Sequence, residues 1–206
     1  MVVKIEGDEP PVITIDGPGG TGKGTIAVLL KRWLGWNFLD SGALYRALGF
    51  LVVEKKISID DEEKLIDIAA HMEVYFDYNG GENSIYVYGK DVTHLIRTEE
   101  CGAIASKIAA RRQVRLALLK RQRAFQCPPG LIADGRDMGT TVFPSAKLKI
   151  YLTASINERA QRRYKQLKQK GITARLPRLF DEIKSRDERD SQRGESPMKP
   201  AQDAEI

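Results

Sequence analysis

The sequence predicts an α/β fold of the phosphate-loop type. It combines a mostly parallel sheet with helices on both faces, a small antiparallel β insertion and a mobile lid. Three observations carry that reading. Short apolar runs alternate with longer stretches of helical period along most of the chain. One stretch of about thirty residues switches to a period of two. Three polar clusters, 17–25, 40–46 and 134–137, each follow directly on an apolar run, and ligands of parallel sheets bind at the carboxyl ends of the strands. With 206 residues, 42% of them hydrophobic, the chain is long enough for one packed core.

In order, Val12 to Ile15 reads as a buried strand, and Asp16-Gly17-Pro18-Gly19-Gly20-Thr21-Gly22-Lys23-Gly24-Thr25 follows it. An amphipathic run then begins, with Ile26, Leu29, Leu30 and Trp33 as its expected inner stripe. Strand, glycine loop, lysine and helix together make a phosphate cradle. Backbone N–H groups can close around an anion only where side chains are missing. The helix N-terminus adds partial positive charge, and Lys23 a full one. The hydroxyl follows the lysine one residue late, as Thr25 after Gly24.

Gly35 ends the first helix, Asn37 to Leu39 is a short strand, and Asp40 opens a second helix with Leu44, Ala47, Leu48 and Leu51 inward. Ser58 to Asp61 offer caps to a third helix striped by Leu65, Ile68 and Ala69. From Met72 the period is two through Val74, Phe76 and Tyr78. Asn79-Gly80-Gly81 turns the chain, and Ile85 to Tyr88 return. One long helix is expected over Glu99 to Phe125, stopped by Pro128-Pro129-Gly130. Leu131 to Ala133 form a strand that delivers Asp134-Gly135-Arg136-Asp137. Leu148, Ile150 and Leu152 alternate in the next strand. A basic helix, Asn157 to Lys170, stops at Gly171, and Pro177 opens the last, to about Arg193.

The net charge of +5 suits polyphosphates or nucleic acid. The basic run from Arg159 to Lys170 nearly lacks interleaved aromatics for base stacking, which favours a lid closing over phosphates. Cys101 and Cys127 have no metal-ligand spacing and suit a reducing compartment. Met1 to Pro11 is neither a secretory signal nor a transit peptide. No run approaches a membrane span. A cytoplasmic protein without a membrane partner is expected.

Arg115 lies seven residues after Ile108 and three before Leu118, on or near an inward face. Arg186, Asp190 and Arg193 continue the stripe begun by Leu179 and Ile183. Charges on such faces need partners or a ligand. His71 and His94 form no catalytic or metal-binding pair, which fits a phosphate acceptor, already anionic and in no need of a general base.

Four blocks together resemble the bacterial cytidylate kinases: Gly17 to Thr25, Leu39 to Arg46, Leu131 to Thr140, and Ile183 to Asp190. The resemblance implies transfer of the γ-phosphoryl of ATP to CMP or dCMP, with Mg²⁺ held by phosphates and water and no metal ligand from the protein. Gly17, Pro18, Gly19, Gly20, Thr21, Gly22, Lys23, Gly24 and Thr25 would bind ATP. Arg46 and Arg136 would hold the acceptor phosphate. Ser41, Arg115, Asp137 and Arg193 would face cytosine, and Ser106, Arg186 and Asp190 the sugar. Lys23, Arg136 and Asp134 would be catalytic, Asp134 by ordering water around Mg²⁺. A carboxylate accepts from the amino group of cytosine and repels the carbonyl of uracil, so Asp137 would discriminate against UMP. The resemblance further implies one monomeric domain over 1–206, with an acceptor-side insertion at about 72–98 and a lid at about 159–178. Members of the family usually continue with a further core strand and closing helix, neither of which is expected within 1–206. A broader UMP/CMP kinase and a nucleic-acid-binding ATPase are the alternative readings.

Overall fold

The computed structural model describes residues 9–77, 84–169 and 171–206. Four parallel strands form its central sheet: β1 Val12–Asp16, β2 Asn37–Asp40, β6 Leu131–Asp134 and β7 Leu148–Tyr151, in the order β2-β6-β1-β7. Outside β7, Glu205 makes a parallel bridge to Ile150. A second, antiparallel sheet holds β3 Val74–Asp77, β4 Ser84–Val87 and β5 Lys90–Asp91. Tyr78 and the expected turn at Asn79 to Gly81 lie outside the described residues.

Seven α-helices are described: α1 Lys23–Leu34, α2 Ser41–Glu54, α3 Glu62–His71, α4 Glu99–Ile108, α5 Arg112–Arg123, α6 Ile156–Gln169 and α7 Leu176–Ser191. Their boundaries follow local chemistry. Gly35 ends α1 with a left-handed φ of 67° and an N–H to the Lys31 carbonyl. Asp40 and Asp61 cap α2 and α3 by accepting from Ala43 N and Lys64 N. Thr98 caps α4 through Cys101 N.

Both faces of the sheet are covered. Ile15, Phe38 and Ile132 pack with Ala27 of α1 on one side. Val12, Leu39, Leu131 and Ala133 pack on the other with Met138, Val142 and Phe143, flanked by Leu119 and Phe125. A third cluster joins α2, α3, α4 and α5 to Ile85 and Val87 of the small sheet.

Three expectations need correction. The helix over Glu99 to Phe125 is two helices, broken at Ala109 to Arg111. No glycine or proline marks the break. Arg111 reaches Asp60, and Arg115 Nη1 donates to the Ala109 carbonyl at 3.3 Å. On α1, Ile26, Leu29 and Trp33 point outward, Trp33 being 80% exposed, while Ala27 is buried. The inward stripe is set by tight approach to the sheet, which a small residue permits. In β7, Leu148 is exposed and Lys149 buried, because Lys149 Nζ is drawn to both carboxylate oxygens of Asp203 at 2.9 and 2.8 Å.

Candidate functional site

The loop between β1 and α1 curls around its own lysine. Lys23 is 5% exposed, and its Nζ donates to the Pro18 carbonyl at 2.7 Å. Thr21 Oγ1 donates to the same carbonyl at 3.2 Å. Gly17 has a φ of +131°, and a Cβ there would collide with the Leu152 carbonyl oxygen. Only glycine fits at that point.

The end of β6 lies beside this loop. Asp134 Oδ2 approaches Gly24 so closely that a Cβ there would lie 3.4 Å away. Burial pushes the Asp134 carboxyl up, with Lys23 pulling the other way. Burial and then the nearby Arg136 charge push the Lys23 ammonium down, and Arg186 adds to the same effect. The Arg186 guanidinium itself is lowered to about 10, by burial and then by Arg136. A Cβ on Gly19 would lie 3.3 Å from Arg136 Nη2 and 3.8 Å from Arg186 Nη1. Lys23, Arg136 and Arg186 thus crowd one point on the loop. Like charges placed so close disfavour one another until an anion joins them.

One cavity adjoins that point. It is lined by Ser41, Tyr45, Ser106, Arg115, Arg136, Asp137, Arg186, Asp190 and Arg193, together with Gly42, Ala105, Ala109 and Gly135. Its free volume is about 50 Å³, because the side chains pair across it. Arg115 is ion-paired with Asp137, and Arg136 Nε donates to Asp190 Oδ2 at 3.2 Å. Ser106 Oγ donates to Asp190 Oδ1 at 3.4 Å, and Ser41 Oγ to Gln122 Oε1 at 3.0 Å. Buried polar atoms without a hydrogen-bond partner here include Tyr45 Oη, Arg193 Nη2 and Arg186 Nε, the last 3.9 Å from Asp190 Oδ2. Such groups are costly unless something pairs with them. The Tyr45 hydroxyl is pushed up to about 12 by burial and stays protonated.

Eight of the nine acceptor-side residues named from sequence therefore share this cavity. Arg46 is not among those lining it. Its Nη1 donates to the carbonyls of Ile96 and Thr98 at 2.7 and 3.0 Å, and it packs so closely on α4 that a Cβ at Gly102 would lie 2.6 Å from Nη2. Helix α6 covers the loop from above. Arg159, 3% exposed, donates to the Gly19 carbonyl at 3.2 Å and to Asp187 at 2.6 Å. Arg162 Nη1 donates to the Thr21 carbonyl at 3.3 Å. Among the described residues, no group of three potential metal ligands is found, and no helix is long and apolar enough to cross a membrane.

Residues 13–206 match the family model described as Cytidylate kinase. The chain belongs to the cytidylate kinase family. It is similar to the cytidylate kinase of Colwellia psychrerythraea, 56% identical over 198 residues that cover 96% of this chain and 88% of that one. For the cytidylate kinase of Pseudomonas aeruginosa the identity is 57% over 196 residues, 94% and 86% of the two chains. For that of Shewanella denitrificans it is 53% over 201 residues, 97% and 88%. A solved structure described as TT1252 from Thermus thermophilus is a looser match, with TM-score 0.41 and 18% identity over 92% of this chain and 87% of that one.

Several residues of this candidate site escape sequence reasoning. Asp16 accepts from the backbone N–H groups of Met138 and Gly139, both at 2.8 Å. Burial raises its carboxyl to about 6. Gln122, 1% exposed, meets Ser41 across eighty-one residues of sequence. Asp187 fixes Arg159. A signal was available for Asp16, a carboxylate ending a largely apolar strand. None was available for Gln122 or Asp187, which sit among polar neighbours on helices.

Proposed function

We propose that this chain transfers the γ-phosphoryl group of ATP to CMP or dCMP, giving ADP and CDP or dCDP. The observation that carries the reading is the convergence of Lys23, Arg136 and Arg186 where the phosphate loop meets the acceptor cavity. A polyphosphate chain and an acceptor phosphate would meet there, and three cations would offset the charge of the transferring group. Membership of the cytidylate kinase family supports the same chemistry.

In this reading Gly17 to Thr25 hold the ATP phosphates, and Arg46 and Arg136 hold the acceptor phosphate. Ser41, Arg115, Asp137 and Arg193 face cytosine, while Ser106, Arg186 and Asp190 meet the sugar. Arg115–Asp137 and Arg136–Asp190 exchange one another for the nucleotide when it enters. Mg²⁺ suits the donor set: Asp134 is buried with its carboxyl pushed up, so a cation near it restores the charged form. The ion would neutralise phosphate charge, and Asp134 would orient its water. The insertion at 72–98 moves with the helices it packs on, and the lid at 159–178 brings Arg159 and Arg162 onto the phosphates. The same reading takes the protein as a monomer. The two unpaired cysteines suit the cytoplasm.

The test is ADP formation with Mg-ATP and each nucleoside monophosphate in turn. Turnover confined to CMP and dCMP is the expected result. Equal use of UMP would favour the broader kinase. ATP hydrolysis independent of any acceptor would overturn the reading.

A further inference from the structure

Asp137 occupies the N-cap position of a short helical turn, Met138–Val142, yet its side chain does not cap it. That is unusual within this same molecule. Asp40 and Asp61 stand at the equivalent position of α2 and α3, and each accepts from the backbone N–H three residues on. An aspartate at an N-cap ordinarily folds back in this way, because the first N–H groups of a helical turn have no partner within it. At Asp137 the competition is decided from outside. Asp16, at the end of β1, takes the two N–H groups that follow: Met138 N on Oδ1 and Gly139 N on Oδ2, both at 2.8 Å. The backbone carbonyl of Asp137 accepts from Thr141 and Val142 N at 2.9 and 3.2 Å, so these bonds of the turn do not involve the Asp137 carboxylate. That carboxylate is instead paired with Arg115 in the acceptor cavity.

We propose that Asp16 is a positioning residue for acceptor selection. By capping the Met138–Val142 turn from the neighbouring strand, it releases the Asp137 side chain to face the acceptor base. The inference rests on the reading of the cavity as a cytidine monophosphate site. It also ties the two substrates together, since Asp16 directly precedes Gly17 of the phosphate loop.

Asp16→Asn isolates the effect. An amide has one acceptor oxygen where the carboxylate has two, so one of the two N–H groups is freed and Asp137 is drawn back to cap its own turn. The experiment measures kcat/KM for CMP and for UMP, at saturating Mg-ATP, in the unsubstituted protein, Asp16→Asn, Asp137→Ala and the double variant. The CMP/UMP ratio is expected to fall about tenfold in Asp16→Asn, the scale of one charge-assisted hydrogen bond, with the KM for ATP nearly unchanged. The double variant is expected to have the ratio of Asp137→Ala alone, because Asp16 acts through Asp137.

A native ratio in Asp16→Asn, or a full further tenfold loss in the double variant, would overturn the proposal. A purely structural role would move the KM of both substrates together and leave the ratio intact, which also overturns it. If Asp16→Asn does not fold by circular dichroism, Asp16→Ser, which keeps one smaller acceptor, is read against the same criteria. An unsubstituted protein that does not use CMP would fail at the earlier step and take this proposal with it. A CMP-selective protein whose Asp16 variants stay equally selective would refute this proposal alone.

Discussion

Replacing Arg115 with alanine should be among the most damaging changes to this cavity. The side chains of Arg115 and Asp137 are 9% and 5% exposed, so solvent screens their attraction weakly. Removing one partner of such a pair leaves a buried charge and typically costs about 3–5 kcal/mol. Arg193 and Arg136 remain near Asp137 and still favour its ionised form, which places the loss at the lower end, about 3 kcal/mol. The Ala109 carbonyl, freed where α4 and α5 break, loses the Arg115 donor and adds about 1 kcal/mol. The total of about 4 kcal/mol corresponds to a fall in Tm of about 8–16 °C for a chain of this size.

The penalty also has a pH signature. Burial already holds the Asp137 carboxyl above its ordinary range, with Arg115 as the largest opposing influence. Without Arg115 the folded carboxyl is raised further above the unfolded one. The folded state then keeps a proton that the unfolded state has released, so stability is lost as pH rises. Urea denaturation followed by circular dichroism at pH 4.5 and 7.5 should show a larger deficit at 7.5. Arg115→Ala combined with Asp137→Ala, which leaves neither charge, should recover part of the loss. A deficit below about 1 kcal/mol, or one equal at both pH values, would refute the treatment of this pair as buried and mutually dependent.

Other outcomes follow from the same geometry. Lys23→Ala should lower kcat by about 10²–10³-fold, the cost of one transition-state contact to developing charge, while Tm stays within a few degrees; unchanged turnover in a stopped ADP assay would remove the loop from the chemistry. Gly17→Ala forces a side chain into a left-handed φ and onto the Leu152 carbonyl. It should cost about 2 kcal/mol or more, and a native melting curve would contradict that. Asp16 is raised from 3.8 to about 6 by burial, so the stability linked to its retained proton is present below about pH 4 and lost as pH rises through about 6. Asp16→Asn should therefore flatten the urea midpoint between pH 4 and 7, and an unaltered slope would show that Asp16 does not titrate as described.

What was legible in the sequence was what is encoded locally. The loop from Gly17 to Thr25 announces itself because glycine, lysine and hydroxyl must occur in sequence to wrap one anion. Asp40 and Asp61 mark helix starts because a cap acts within three residues. Period two at Val74 and Ile85 separated the small sheet from its helical surroundings. The misreadings lie where distant chain decides. The break at Ala109 to Arg111 carries no glycine or proline, and Arg115 turns back there onto the Ala109 carbonyl. Ala27 faces the sheet in place of larger neighbours because of how near α1 lies to β1 and β6. Gln122 is invisible as a site member until α2 is brought beside it. The inward charges of α7 were readable as an oddity of pattern, but their shared cavity with Ser41 and Arg115 is a property of the sheet order.

The crowding of Lys23, Arg136 and Arg186 has a practical consequence for handling the protein. Like charges gathered at that corner favour anions, and small oxyanions of ordinary buffers are expected to bind there. Sulfate or phosphate binding to the folded chain alone raises its apparent stability by mass action. The same ions compete with ATP and the acceptor, inflating their apparent KM. Melting points recorded in phosphate buffer and activities recorded in a sulphonate buffer would therefore describe two differently liganded proteins. A titration of Tm against sulfate at constant ionic strength separates this occupancy from general salt screening.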